Sequence, residues 1–283
     1  MDNNHCLCGS GKPYETCCKI YFNLLNLKHG PIKDETIFFE WINKYSNPIV
    51  EAFIDKTHVY IYRISLYLDL VFNRYFNLGF EESPLKDMNN PVTAIKLHIL
   101  HTLLGSFSCL SQGLYFQSGI LLRSVMEDCF VLIDIFERKN QYQCFIQNKY
   151  STNGLISRVK NVMPDFIIRW YGHFSANFAH VGPLHPISYL PRACYPDNYI
   201  IFSGLHHLVV VIVGIHLTFE RVHFDQIDEP FLWETTEENK LSLNENSKIF
   251  DLTNTLLDEL CSEFSPDERK TGFIYSEKCY RPK

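Results

Sequence analysis

Ile120-Leu-Leu-Arg-Ser-Val-Met-Glu-Asp-Cys-Phe-Val-Leu-Ile-Asp-Ile-Phe-Glu-Arg138 is the stretch whose reading decides the fold class. Its apolar residues fall on most faces of a helix instead of on one stripe. That pattern predicts a helix enclosed by others near the centre of the molecule. Arg123 and Glu127 stand four apart and share one face. Asp134, seven residues further on, lies on nearly the same face. A charge pair among Leu122, Val125, Met126 and Phe130 is expensive to bury unless it is paired internally or serves a site. The simplest expectation for Arg123 and Glu127 is a buried structural ion pair; the functional one is a binding or catalytic pair.

Outward from this segment the helical pattern continues. Pro48 to Phe76 carries apolar residues at helical spacing, with Asn47 as N-cap and Pro48 at the first helical position. Asn90 and Pro91 repeat that start signal for a helix reaching about Leu110. Shorter helices are expected between Asn140 and Asn161. Asp165 to Val181 predicts a further helix, closed by Gly182 and Pro183. Four prolines, at 183, 186, 191 and 196, make the next segment a structured loop. A helix over 201–224 follows. The stretch 224–245 is strongly acidic and reads as an exposed linker. A last amphipathic helix spans 246–264, with Ile249, Leu252, Leu256, Leu257 and Leu260 in phase. The fold class expected is mainly α: a bundle of about six to eight helices with a small N-terminal knob.

Composition narrows the function classes. The chain has 283 residues, 46% hydrophobic and 20% charged, with a net charge of −6. It is neither disordered nor fibrous, and it carries no global attraction for nucleic acid or anionic membrane. The N-terminus has no basic and apolar leader, so no secretory signal is expected. Tyr199 to Phe219 lacks Asp, Glu, Lys and Arg and approaches the ~20 residues a bilayer requires. His206, His207 and His216 interrupt it, so it reads as a helix inside the bundle, in a cytoplasmic protein with no membrane partner.

Ten cysteines are unevenly spread. Cys6, Cys8, Cys17 and Cys18 give C-x-C-x8-C-C, a donor set that can satisfy tetrahedral Zn²⁺ with four thiolates. Gly9-Ser10-Gly11 permits the sharp turn that brings the two halves together. Such a closed site is structural, because no ligand position is left for a catalytic water. Gly11-Lys12 is not a phosphate-binding loop, since Cys6 and Pro13 stand where that motif requires Gly and Ser or Thr. Cys109, Cys129, Cys144, Cys194, Cys261 and Cys279 have no ligand spacing and read as inert thiols.

The run Cys6-Leu-Cys-Gly-Ser-Gly-Lys-Pro-Tyr-Glu-Thr-Cys-Cys18 resembles the SEC-C motif, the zinc-binding tail of the bacterial preprotein translocase motor. Both cysteine pairs, Gly9 to Lys12 and Tyr14 match it; Leu7 departs, standing where the family usually has Pro. The resemblance implies a zinc head over residues 1–22 on a helical body over 23–283. It also implies docking to a protein partner, or to RNA or the ribosome.

A second constellation lies on the 165–181 helix. Arg169, His173 and His180 fall within about 40° of one another at helical periodicity, with Asn177 at the border. Ile167, Trp170, Phe174 and Phe178 form the apolar stripe. An arginine beside two imidazoles suits phosphate binding with proton transfer; a solvated polar face is the simpler expectation. His206 and His207 are adjacent, so their side chains diverge by about 100° and chelate poorly together. Arg123-x-x-x-Glu127, with Ser175-x4-His180 at the end of a later helix, resembles a family of uncharacterised bacterial helical proteins. More broadly it resembles HEPN-type bundles, many of which are toxin or antiphage ribonucleases. Their Arg-x4–6-His signature is not met: three residues separate Arg169 from His173 and ten separate it from His180.

Two functions follow. One is a bacterial zinc-headed docking protein, defence-associated, whose helical body binds a partner or forms a homodimer. The other is a metal-independent ribonuclease using Arg123, Glu127, Arg169, His173 and His180.

Overall fold

The computed structural model of the chain describes residues 48–75, 78, 90–178, 198–238 and 240–263. The C-x-C-x8-C-C set of Cys6, Cys8, Cys17 and Cys18, expected to bind zinc, lies outside them, as do His180 and the proline-rich segment expected as a loop. The described residues are mainly helical. They form α1 (Pro48–Tyr75), α2 (Pro91–Ser111), α3 (Tyr115–Glu137), α4 (Lys139–Ile146), α5 (Leu155–Val159), α6 (Asp165–Phe178), α7 (Asn198–Val222) and α8 (Lys248–Ser262).

Local sequence sets several of these boundaries. The Asn90 side chain accepts from Val92 N at 3.0 Å, with Pro91 opening α2. Ser247 caps α8 through Ile249 N at 3.2 Å. At the end of α2, Gly113 takes φ +76°, and Leu114 N donates to Cys109 O at 2.8 Å. This left-handed stop turns the chain straight back into α3.

α3 and α7 form the centre. α3 packs on α2, α7, α6, α4 and α5, while α7 packs on α3, α8, α1, α2 and α6. On α7 every residue from Ile201 to Glu220 is buried. Each fully buried Val, Leu, Ile or Phe contributes about 1.5–3 kcal/mol, so these two helices carry the largest shares of the core. Where helices approach closely the contact residue is glycine. A Cβ at Gly119 would lie 2.4 Å from the Phe178 ring, and one at Gly204 would lie 2.2 Å from Leu110 Cδ1. Pro91–Ser111 and Ile201–Val222 are long and apolar enough to cross a membrane by length and composition, and the second is wholly buried inside the bundle.

The acidic stretch 224–245, expected as an exposed linker, instead contains a short antiparallel hairpin, β1 (Trp233–Thr235) with β2 (Leu241–Leu243). Its acids are exposed, but Leu232 and Trp233 are buried. Glu220 Oε1 on α7 accepts from Leu232 N at 2.6 Å and Trp233 N at 2.9 Å. The Trp233 indole donates to Leu217 O at 2.9 Å. A buried carboxylate therefore supplies the acceptors that hold this segment on the body.

Candidate functional site

Arg123 on α3 is the hub of a part-exposed polar cluster between α3 and α6. Arg123 Nη1 lies 3.1 Å from Glu127 Oε2, and the two side chains are 28% and 27% exposed. The pair is thus neither sealed in the core nor free in solvent. From α6, Ser175 Oγ accepts from Arg123 Nε at 3.1 Å, and the Tyr171 hydroxyl accepts from Arg123 Nη2 at 3.1 Å. The guanidinium also sits 5.4 Å from the centre of the Tyr171 ring. α3 and α6 run antiparallel here, with Gly119 against Phe178 at one end and Phe130 against Tyr171 at the other. That direction brings the Arg-x-x-x-Glu helix onto the serine of Ser-x4-His. Tyr171 has no place in either motif; its four-residue spacing from Ser175, on the same helical face, was the available signal.

The stripe expected on α6 divides. Arg169 is exposed and takes no part in the Arg123 cluster. His173 turns inward, where only 7% of its surface is exposed. Its ring centre is 5.3 Å from that of His207 and 5.1 Å from that of Trp170. Asn177 Nδ2 donates to His173 O at 2.8 Å and lies 3.0 Å from His173 Nδ1, so Nδ1 accepts and the ring proton is assigned to Nε2. The reason for the inward turn is the partner helix: α7 presents His206 and His207, both buried, to this flank of α6. Trp170 lies between them, with ring centres 5.5 and 5.4 Å away. The Tyr115 hydroxyl lies 3.0 Å from Ser203 Oγ and 3.4 Å from His207 Nδ1.

Burial holds these imidazoles neutral. It pulls His173 down to about 4 and His206 to about 3, the latter helped by His173 beside it, and it takes His207 well below the usual range. A base of that strength is poorly matched to proton transfer near neutral pH. Among the described residues no group of three His, Cys, Asp or Glu is arranged to hold a metal ion.

Two further polar clusters are structural. The Tyr75 hydroxyl donates to Glu220 Oε2 at 2.7 Å, and His216 lies between Tyr67 and Tyr75 at 3.0 and 3.1 Å. Burial lowers His216, whereas four donors around Glu220 outweigh its burial and hold that carboxyl below its usual value. The other cluster is centred on Asp134, whose carboxylate is fully buried. It accepts from Arg138, from Tyr150 at 2.8 Å and from Arg158 Nε at 2.9 Å. Asp134 thus belongs to a different cluster from Glu127, despite the near-common face read from sequence. No signal short of the fold could have paired it with Arg158.

No protein-family model, curated protein or solved structure matches the chain.

Proposed function

We propose that the protein is a zinc-headed docking protein whose helical body serves as a rigid scaffold. The observation that carries this reading is the C-x-C-x8-C-C set of Cys6, Cys8, Cys17 and Cys18. Four thiolates at that spacing fit a closed tetrahedral site, and the zinc would order a small head for contact with a partner. The body supports a non-catalytic role through its side chains: Arg123 is engaged by Glu127, Tyr171 and Ser175, and His173 faces the core. The test is metal analysis of protein purified without chelator. One zinc per chain is expected, with loss in Cys17→Ser/Cys18→Ser and an unchanged melting transition for the body. Protein purified in this way with no zinc would end the proposal.

A second reading, a metal-independent ribonuclease, is favoured by one observation. The Arg123–Ser175 bond joins a residue of each sequence motif and sets a part-buried arginine against α6, which ends two residues before His180 in the sequence. Arg123 would then hold a phosphate and His180 would act as base. Cleavage of total RNA that depends on both His180 and Arg123 is the expected result. Equal activity in wild type and His180→Ala, or none in either, removes His180 from the mechanism.

A further inference from the structure

We propose that the surface formed by residues 138–161 binds the phosphate backbone of a single-stranded nucleic acid. The inference rests neither on the zinc head nor on cleavage, so its failure would leave both readings above standing.

The chain as a whole is acidic, yet this segment holds Arg138, Lys139, Lys149, Arg158 and Lys160 and contains no Asp or Glu. Lys139, Lys149 and Lys160 are all exposed. The other exposed side chains are amides (Asn140, Gln143, Gln147, Asn148, Asn153, Asn161), hydroxyls and Ile146. Such a surface offers donors and positive charge with no carboxylate of its own, and the adjoining Glu137 is engaged by Arg221 Nε at 2.7 Å. Two apolar side chains, Ile146 and the neighbouring Phe136, give little to insert into a lipid surface, whereas amides hydrogen-bond to sugars and base edges. At the adjoining end of α3, the ring of Phe136 is 49% exposed and provides a stacking face.

The frame beneath is rigid, which lowers the entropic cost of binding. Buried Asp134 gathers Arg138 and Arg158. Arg158 then donates to Asn153 O at 2.6 Å and to Ser151 O at 2.9 Å, while Arg138 donates to Arg158 O. At the end of α4, Asn148 takes φ +55° and Lys149 N donates to Cys144 O at 2.8 Å. The loop carrying Lys149 is thereby tied to the helices carrying Lys139 and Arg158. The two arginines are committed to the frame, leaving the three lysines to meet phosphates.

The test uses the full chain and a fluorescein-labelled single-stranded DNA of about 20 thymidines, which lacks the 2′-hydroxyl needed for cleavage. Anisotropy titrations run from 50 to 200 mM KCl. Three phosphate contacts predict a slope of about −2 in log K against log salt, and Lys139→Gln/Lys149→Gln/Lys160→Gln should weaken binding about 100-fold at 0.1 M. Lys56→Gln/Lys240→Gln/Lys248→Gln, which changes the net charge equally, should bind within about twofold of wild type if the contact is local. Lys149→Glu should weaken binding on its own, which keeps the test decisive if the triple variant folds poorly. The proposal is overturned by no binding in the wild type, by equal losses in both triples, or by an unchanged lysine triple. It is also overturned if Cys17→Ser/Cys18→Ser loses as much, which would assign binding to the head. Lysine-dependent capture by phosphatidylserine vesicles without oligonucleotide binding would likewise overturn it.

Discussion

Arg123 Nε donates to Ser175 Oγ across 3.1 Å, and this bond fastens α3 to α6 with Tyr171 and Glu127 on the remaining guanidinium edges. Arg123→Met strips three neighbours of a partner at once and should lower unfolding free energy by about 1–2 kcal/mol. Glu127→Gln removes only the part-exposed charge and should cost about 0.5 kcal/mol. Urea denaturation of both variants checks the ranking; equal losses would mean that the two hydroxyls contribute nothing.

Acid should weaken the α6–α7 contact. Burial holds His173 at about 4, whereas in the unfolded chain it titrates near 6.5. Between those values the unfolded state binds more protons, so stability is full above about pH 6.5 and falls as the pH drops towards 4. His173 alone accounts for about 3 kcal/mol across that window. Urea midpoints measured from pH 7 to 4 should fall steeply in wild type and less in His173→Gln.

Lys96 gives a slope at higher pH. It is buried, and its Nζ donates to Tyr75 O at 3.1 Å and Leu78 O at 2.7 Å, closing the end of α1. Burial lowers its pKa to about 7. Above that value the folded lysine is neutral while the unfolded one keeps its proton, so stability rises with pH and is lost as pH falls through about 7. Between pH 7 and 8.5 the gain is about 2 kcal/mol, before the opposing titration of the Cys129 thiol, which burial pushes up. In Lys96→Met this rise should vanish, and chemical denaturation at the two pH values reads it directly.

Four glycine-to-alanine changes should separate by sign. Gly119→Ala and Gly204→Ala drive a methyl into Phe178 and Leu110 and should cost about 1–3 kcal/mol each. Gly172→Ala, with nothing within 4 Å, should gain about 0.5–1 kcal/mol from helix propensity. Gly105→Ala meets Leu121 Cδ1 at 3.5 Å, an ordinary contact, and should gain a similar amount. Thermal melts rank them; a destabilised Gly172→Ala would contradict the packing described.

Helix positions were readable wherever capping chemistry is local. Asn90-Pro91 marks its helix start in sequence as it does in the fold. The apolar surround of α3 and α7 likewise announced buried helices. The hairpin is not legible in sequence because β1 and β2 are three residues each, and their anchor is a carboxylate on another helix. The polar stripe on α6 divides for a similar reason: helical phase places Arg169 beside His173, but the facing helix decides which of them is buried.

The sequence by itself determined the helical class, the caps, and a four-cysteine set whose spacing alone suits a closed zinc site. Those features depend on neighbours within a few residues, where backbone geometry is fixed by residue type. Tertiary structure alone decided the pairings. It placed Arg123 on Ser175, Asp134 on Arg158, Glu220 on the 232–233 backbone, and His173 against His207. Each joins residues far apart in the chain, and their charge and burial are set by which helix faces meet.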